Sequence, residues 1–521
     1  MQEPPYPATQ DAVFELLGDP ATYGLPAVAK IVRHHTHAAI VFLAGDRALK
    51  VKRAVRYPFL DFSSLEKRKA ACEAELAINR KFAPQLYRRV VPITREDKGA
   101  LVLDGTGDPV EWAVEMTRFD EDRTLDRLAR RGELDERLVA NLAAAVAAMH
   151  ERAEPVEPAA WIAALEQFIG NNTSMFRQHP QLFGEAGVVD LQRQSLAALN
   201  QLRPLLIERG KQGLIRRGHG DLHLGNLAVL DGEPVAFDAL EFDPVIASGD
   251  LLYDLAFLLM DLLEFDLQAA ANQVLNGYYT AARRNADCDG IAALPFFMSL
   301  RAAIRAMTTA SRLDVTKDTI ARSARRYFDL ALKLLAPTKP SVLGIGGLSG
   351  TGKTVLARSL APSLAPAPGA LVFRSDVERK ALYGVGEHER LPSSAYRAEV
   401  SERVYRIIID KAARVARAGH SAIVDAVFAR AEERGAIETA AASTGVEFRG
   451  LFLVVDLTTR MQRVSGRAAD ASDADAEVAR KQEELVTGPV AWSRVDAASS
   501  PAQTLANARG AIARQADTKP G

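Results

Sequence analysis

The sequence predicts two fused domains of different class: an α+β bilobal half over residues 1–335 and an α/β half with a parallel sheet over 341–515. Three observations carry this reading. Short β-like segments open the chain and give way, from about Thr124, to Ala- and Leu-rich stretches with apolar residues at three- and four-residue spacing. Pro337-Thr338-Lys339-Pro340 then breaks the last helical pattern. Beyond it strands and helices alternate, the pattern of a parallel sheet with crossover helices.

Taken in order, residues 38–53 alternate in strand fashion around a Gly45-Asp46 turn. A charged helix is expected from about Ser63 to Lys81, stopped by Pro84. Further β-like segments fall near 87–93, 100–104 and 110–118. After the linker, apolar strands are expected at 342–346, 370–374, 421–425 and 449–455, and the tail beyond about Gln515 is expected to fray.

Bulk properties narrow the function classes. A length of 521 residues suits two or three domains, and 48% hydrophobic with 25% charged residues is ordinary for soluble protein. A net charge of -1 offers no electrostatic case for nucleic acid or an anionic membrane as partner. Cys72 and Cys288 stand far apart without C-x-x-C spacing, so a disulfide framework is not expected and a reducing cytoplasm is. No secretory signal is visible at the start. The most apolar run, Leu251 to Leu263, is interrupted by Asp254 and Asp261 and reads as a buried helix rather than a membrane span.

The first chemical constellation is His219-Gly-Asp-Leu-His-Leu-Gly-Asn226 followed by Asp238. Asp231-Gly232-Glu233-Pro234 lies between two apolar segments and marks a hairpin. A hairpin brings Asn226 and Asp238 together, and an amide oxygen beside a carboxylate suits Mg²⁺ next to phosphate. Asp221, on the loop before the hairpin, is placed to accept the proton of a hydroxyl attacking the γ-phosphate of ATP.

This stretch closely resembles the aminoglycoside phosphotransferase family, small-molecule relatives of protein kinases. The resemblance covers roughly residues 30–335 and implies a bilobal kinase-like fold, with Asp221 as catalytic base and Asn226 and Asp238 as metal ligands. Asp250 and Asp254 also match that family and read as helix-start and loop-bracing groups. The resemblance asks as well for a strand lysine on the α- and β-phosphates, paired with a helix glutamate. Lys50 is favoured by its Ala48-Leu49-Lys50 spacing, with Lys52 a competitor on the same strand face; Glu75 is the favoured partner over Glu73. A glycine-rich G-x-G-x-x-G loop is missing, which argues against a protein kinase. Glu115-Met116 looks like the hinge that would meet adenine. His34, His35 and His37 read as surface or phosphate-adjacent histidines in a β-lobe loop rather than a metal site.

The second constellation is a buried-strand run, Val342-Leu-Gly-Ile-Gly346, leading into Gly347-Leu-Ser-Gly-Thr-Gly-Lys-Thr354 and a helix. This is the setting of a P-loop. Gly347, Ser349, Gly350, Thr351 and Gly352 would turn backbone N–H groups toward phosphate oxygens at a helix N-terminus. Lys353 would reach the β- and γ-phosphates, and Thr354 would ligate Mg²⁺. Asp425, ending the strand Ala422-Ile-Val-Asp425, reads as a Walker-B-like carboxylate on the same metal. Arg460, Arg463 and Arg467 recur at helical spacing on what reads as the exposed face of a lid.

Residues 340–515 resemble the P-loop kinases that include gluconate, shikimate and polynucleotide kinases. By that resemblance Asp376 would bind or deprotonate the acceptor hydroxyl and Arg467 would steady the transferring phosphate. The fusion as a whole resembles bacterial proteins with an aminoglycoside phosphotransferase-like domain joined to an ATP-binding kinase domain. The expectation is a bifunctional ATP- and Mg²⁺-dependent phosphotransferase acting on small hydroxylated molecules, with no nucleic-acid or membrane partner. The alternative is one kinase domain with a nucleotide-binding regulatory partner. For a polycationic acceptor, Asp261, Glu264 and Asp266 are the available carboxylates, and they are expected to face solvent.

Overall fold

The computed structural model describes residues 8–517, except 37, 58–59, 98, 242–244, 312–317, 467–470 and 485–486. The chain folds into two compact units. One takes residues up to Ala145, Met149–Ala164 and Gly210–Leu258; the other takes Val146–Ala148, Leu165–Arg209 and everything from Leu259 onward. The unit boundary therefore does not fall at the 336–340 linker. Helices on the N-terminal side of that linker pack with the P-loop fold.

The first unit holds a six-stranded antiparallel sheet in the order Val32–His35, Ala39–Ala44, Arg47–Lys52, Asp108–Thr117, Tyr87–Arg95, Leu101–Leu103. Strand periodicity sorts its side chains. Phe42, Leu49, Val51 and Ile93 go to one face, where Val13, Phe14 and Leu17 of the helix Ala8–Leu17 cover them. Ala48, Lys50 and Lys52 go to the other, toward the helix Leu65–Phe82, which Ser64 caps by accepting from Lys67 N–H. Val32–His35 forms a strand, so His34 and His35 do not lie in a loop, and His37 is outside the described residues. The expected hairpin is Leu227–Leu230 with Glu233–Ala236. Asp231 (φ 51°) and Gly232 (φ 85°) are both left-handed, as a two-residue turn matched to strand twist requires.

The second unit holds a five-stranded parallel sheet in the order Leu371–Arg374, Ala422–Asp425, Ser341–Gly346, Glu447–Val454, Ser493–Asp496. Four of these strands fall where the apolar runs place them. The fifth, Ser-Arg-Val-Asp, carries too little apolar signal to be read as a strand. Leu343, Ile345, Ile423, Leu451 and Leu453 form the centre of its core.

Residues 251–262 form part of one helix and are buried throughout. Asp261 is among them, contrary to the solvent-facing expectation: it is 2% exposed and accepts a hydrogen bond from the Tyr327 hydroxyl at 2.9 Å. A partner 66 residues away supplies what burial of that carboxylate requires. Glu264 and Asp266 pair with Arg326 at 3.1 and 3.4 Å. Among the described residues, one helical run, Ala286–Ser311, is long and apolar enough to cross a membrane by length and composition, and 72% of its apolar 18-residue window is buried inside the protein.

Candidate active sites

In the first unit the catalytic-loop candidate is held from below. Asp254 accepts from His219 N–H at 2.9 Å and Gly220 N–H at 3.0 Å, one on each carboxylate oxygen. The His219 ring meets Phe237 O at 2.9 Å, tying the loop to the far end of the hairpin. Burial pushes the His219 imidazole below its ordinary pKa, so the ring is neutral. Asn226 then donates to both the backbone oxygen and the carboxylate of Asp221, each at 3.0 Å. The His223 Nδ1 accepts from Gly225 N–H at 3.0 Å, which makes Nε2, 3.5 Å from the Asp221 carboxylate, the ring nitrogen that carries the hydrogen. Asp221 is thus oriented from two sides.

The cation candidates lie across the hairpin. Phe237 N–H donates to Asn226 O at 3.0 Å, and Asp238, left-handed at φ 62°, follows directly. Its N–H donates to the Tyr87 hydroxyl at 3.1 Å. Lys50 Nζ lies 2.5 Å from the Asp238 carboxylate and 2.8 Å from Glu75. Lys52 Nζ lies 2.5 Å from the other oxygen of Glu75 and also contacts Glu241. Burial alone would raise the Glu75 pKa, but the two ammonium groups outweigh it and hold the carboxyl at about 2. Burial likewise works against both lysines, and their carboxylate neighbours outweigh it, so the row stays charged.

A cavity of about 330 Å³ opens beside this row, with Val41, Leu43, Ala48, Leu86, Met116 and Phe119 as apolar walls. Lys50 and Asp238 line it. Lys52 is 2% exposed, sits over the Phe62 ring at 5.4 Å, and is not part of the lining. The structure therefore places Lys50, not Lys52, at the cavity. It buries Glu75, while Glu73 is exposed and lies 3.9 Å from Lys69. At the hinge, Met116 reaches the cavity, whereas Glu115 turns away to Arg47 at 2.8 Å and Arg89 at 2.9 Å. His34 pairs with Glu121 at 2.9 Å on the cavity wall. One amide and one carboxylate suit a small hard cation that keeps water and phosphate oxygens as its other ligands.

In the second unit the strand Ser341–Gly346 runs into the phosphate-loop candidate and then the helix Lys353–Leu360. Side chains are excluded where the loop is tightest. A Cβ on Gly347 (φ 137°) would meet Leu453 O and Thr351 Oγ1 at 2.8 Å, and one on Gly350 (φ 89°) would meet Arg460 O at 2.6 Å. Lys353 Nζ donates to Leu348 O at 3.2 Å. The Ser349 N–H, one of the donors a phosphate would use, is occupied at 2.7 Å by the side-chain oxygen of Gln482. Thr354 donates to Asp425 at 2.6 Å, and Arg374 stands 3.6 Å from the same carboxylate oxygen. A hydroxyl and a carboxylate at a helix N-terminus are a donor set that fits Mg²⁺ bound to nucleotide phosphates.

Asp376 lines a cavity of about 970 Å³ together with Lys353, Thr354 and Asp425. Burial pushes its carboxyl above the ordinary carboxylate range, with the charge of Asp425 adding to this and Arg374 and Lys353 opposing it. Asp473 ties the far wall together. It pairs with Lys380 at 3.1 Å and accepts from Leu391 N–H at 3.0 Å and the Tyr396 hydroxyl at 2.6 Å. Asp475 caps the helix Ala476–Lys481 through Val478 N–H at 3.0 Å.

Arg460 and Arg463 do not share an exposed face. Arg460 is fully buried and donates to Ser349 O at 3.3 Å and Ala479 O at 3.4 Å, with Glu483 also in contact. The helix Leu457–Ser465 packs directly on the phosphate loop at Gly350, which turns that face inward. Arg463 donates to Ala498 O and Ser499 O and lines a side cavity of about 260 Å³ with Gly350, Thr351 and Gly352. Arg467 lies outside the described residues. Sequence reasoning gave Lys380 and Asp473 no role and missed Gln482, since none belongs to a local motif.

Residues 46–288 match the model of the phosphotransferase enzyme family, and residues 342–489 match that of an AAA domain. An uncharacterized protein of Mycobacterium tuberculosis is 30% identical over 455 residues, covering 85% of this chain and 88% of the relative. Its counterpart in Mycobacterium bovis matches to the same extent, 30% over 455 residues. Among solved structures, the chain is similar to a choline/ethanolamine kinase family protein from Mesorhizobium loti (14% identity, 63% of this chain and 98% of that one, TM-score 0.36). It is also similar to a gluconokinase from Sinorhizobium meliloti (18% identity, 35% of this chain and 96% of that one, TM-score 0.26). The chain belongs to the family of these mycobacterial proteins, and it joins a stretch that matches the phosphotransferase enzyme family to a P-loop fold that matches an AAA domain.

Proposed function

We propose that the chain is a bifunctional phosphotransferase that uses ATP and Mg²⁺ to phosphorylate hydroxyl groups of small molecules at two separate sites. The observation that supports this reading is a duplicated chemical set. Each unit brings together a lysine that would meet phosphate, oxygen groups that would hold a cation, and a carboxylate that would serve the acceptor. In the first they are Lys50, Asn226 with Asp238, and Asp221; in the second, Lys353, Thr354 with Asp425, and Asp376. The bound cation would screen phosphate charge and fix the leaving group.

At the first site Asp221 takes the proton of the acceptor hydroxyl as its oxygen bonds to the γ-phosphorus and the bond to the β-bridging oxygen breaks. Asn226 and His223 hold the Asp221 carboxylate toward the acceptor, and Glu75 holds Lys50 toward the phosphates. At the second site Asp376 has the same duty, Lys353 and the loop N–H groups take the phosphates, and Arg467 is assigned to the transferring group. A carboxylate base works only when ionised. Since burial raises the Asp376 pKa, the acid limb of kcat/KM at this site should lie above the ~3.9 of an ordinary aspartate. A pH profile in an Asp221→Asn background measures it.

Gln482 supplies a further expectation. Its side chain must leave Ser349 N–H before a phosphate oxygen can use that donor. Gln482→Ala removes a competitor worth about 1 kcal/mol, so the Kd for ATP at the second site should fall about fivefold by calorimetric titration. The test of the overall reading is transfer of labelled γ-phosphate from ATP to a library of small hydroxylated compounds, using the full chain with one site silenced at a time. Absence of any labelled product from either arm counts against phosphotransfer to small alcohols.

A further inference from the structure

Among the described residues, strand Leu371–Arg374 has a sheet neighbour, Ala422–Asp425, on one side only. Along its open side runs the helix Gln268–Ala282. Residues 268, 272 and 276 recur every fourth position and share one face of that helix. Each carries a side-chain amide, and each amide is spent on the strand or the turn entering it. Gln268 donates to Pro362 O and Pro368 O, both at 3.0 Å. Asn272, which is buried, donates to Ala370 O at 3.1 Å. Asn276 donates to the same carbonyl at 3.1 Å and accepts from Val372 N–H at 2.7 Å.

Asn276 thus offers one donor and one acceptor, as a residue of a neighbouring strand would. Gly369 (φ 125°) permits the close approach, since a Cβ there would lie 2.7 Å from Asn272 Nδ2. Arg283 donates to Val385 O at 3.0 Å, and Arg414 pairs with Asp289 at 2.5 Å, extending the same contact. The helix lies within the stretch matched by the phosphotransferase family, whereas the strand lies within the AAA match.

We propose that the amide row Gln268, Asn272 and Asn276 is a positioning element of the second phosphotransfer site, a role that rests on the reading of that site given above. Strand Leu371–Arg374 runs directly into Asp376, the carboxylate assigned to the acceptor. An edge strand leaves a row of backbone N–H and C=O groups without a strand partner, and a slip of one residue turns every side chain to the opposite face. The row satisfies those groups and sets the register. Lys353 and Thr354 hang from a different strand, so the row governs the acceptor side and not the grip on nucleotide.

The test uses the full chain in an Asp221→Asn background, with ATP and Mg²⁺ as probe. Asn276→Leu removes both hydrogen-bonding functions; Asn276→Asp keeps the acceptor toward Val372 and sets an oxygen against Ala370 O. The expected result is a fall in kcat for ATP turnover of about tenfold or more, with KM for ATP changed by less than about twofold. Hydrogen exchange should rise at residues 372–374 and stay unchanged at 342–345, with Asn276→Asp intermediate. Unchanged exchange at Val372, a uniform rise across the sheet, or full kcat despite local exposure would each overturn the positioning role. If the background chain shows no Lys353-dependent turnover, the second-site reading fails, and the exchange measurement alone then decides whether the row sets the strand.

Discussion

Asp221→Asn should lower turnover at the first site by about 10²- to 10⁴-fold, the range a positioned general base contributes. The substitution is close to isosteric. Its amide oxygen can still accept from Asn226, so the loop braced by Asp254 should keep its shape. What is lost is the ability to take a proton. The effect should therefore fall on kcat, with KM for ATP nearly unchanged, because Lys50, Glu75 and Asp238 are held to one another by ion pairs of their own. Steady-state kinetics in a Lys353→Ala background isolates this site. A rise in KM for ATP with normal kcat would instead assign Asp221 to nucleotide binding.

Lys353→Ala should cost the second site about 10²- to 10³-fold, the usual loss when one preorganised group facing developing charge is removed. Here KM should rise together with the fall in kcat, since the lysine would meet phosphate in both ground and transition states. The folded loop does not depend on it. Lys353 makes a 3.2 Å hydrogen bond to Leu348 O, while Thr351 secures the same carbonyl at 2.8 Å and the glycines set the backbone. Measured in the Asp221→Asn background, a variant with parental kinetics would remove the phosphate loop from the reaction.

Much of both candidate sites was legible because local rules specify them. Asp231-Gly232 announces the hairpin, and the hairpin accounts for Asn226 and Asp238. The strand period sends Lys50 and Lys52 to one face, but cannot say which reaches the cavity; that depends on Phe62, Glu75 and Glu241 arriving from elsewhere. The P-loop follows from glycine spacing after a buried strand. Arg460 was misread because helical spacing predicts a shared face without saying whether that face meets solvent or, as here, the phosphate loop. Asp261 failed in the same way, through Tyr327. Gln482 on Ser349 and the amides of the helix Gln268–Ala282 on Ala370 and Val372 are long-range hydrogen bonds with no sequence period, and only the folded chain displays them.

The claim of two independent phosphotransfer sites is tested most directly by ATP turnover, with Mg²⁺ and the acceptors found by screening, in four full-length chains: parent, Asp221→Asn, Lys353→Ala and the double variant. Each single variant should retain the activity of the other site, and the double variant should retain neither. Abolition of all turnover by one substitution alone, with no effect from the other, would contradict the account and leave a single kinase joined to a nucleotide-binding regulatory module.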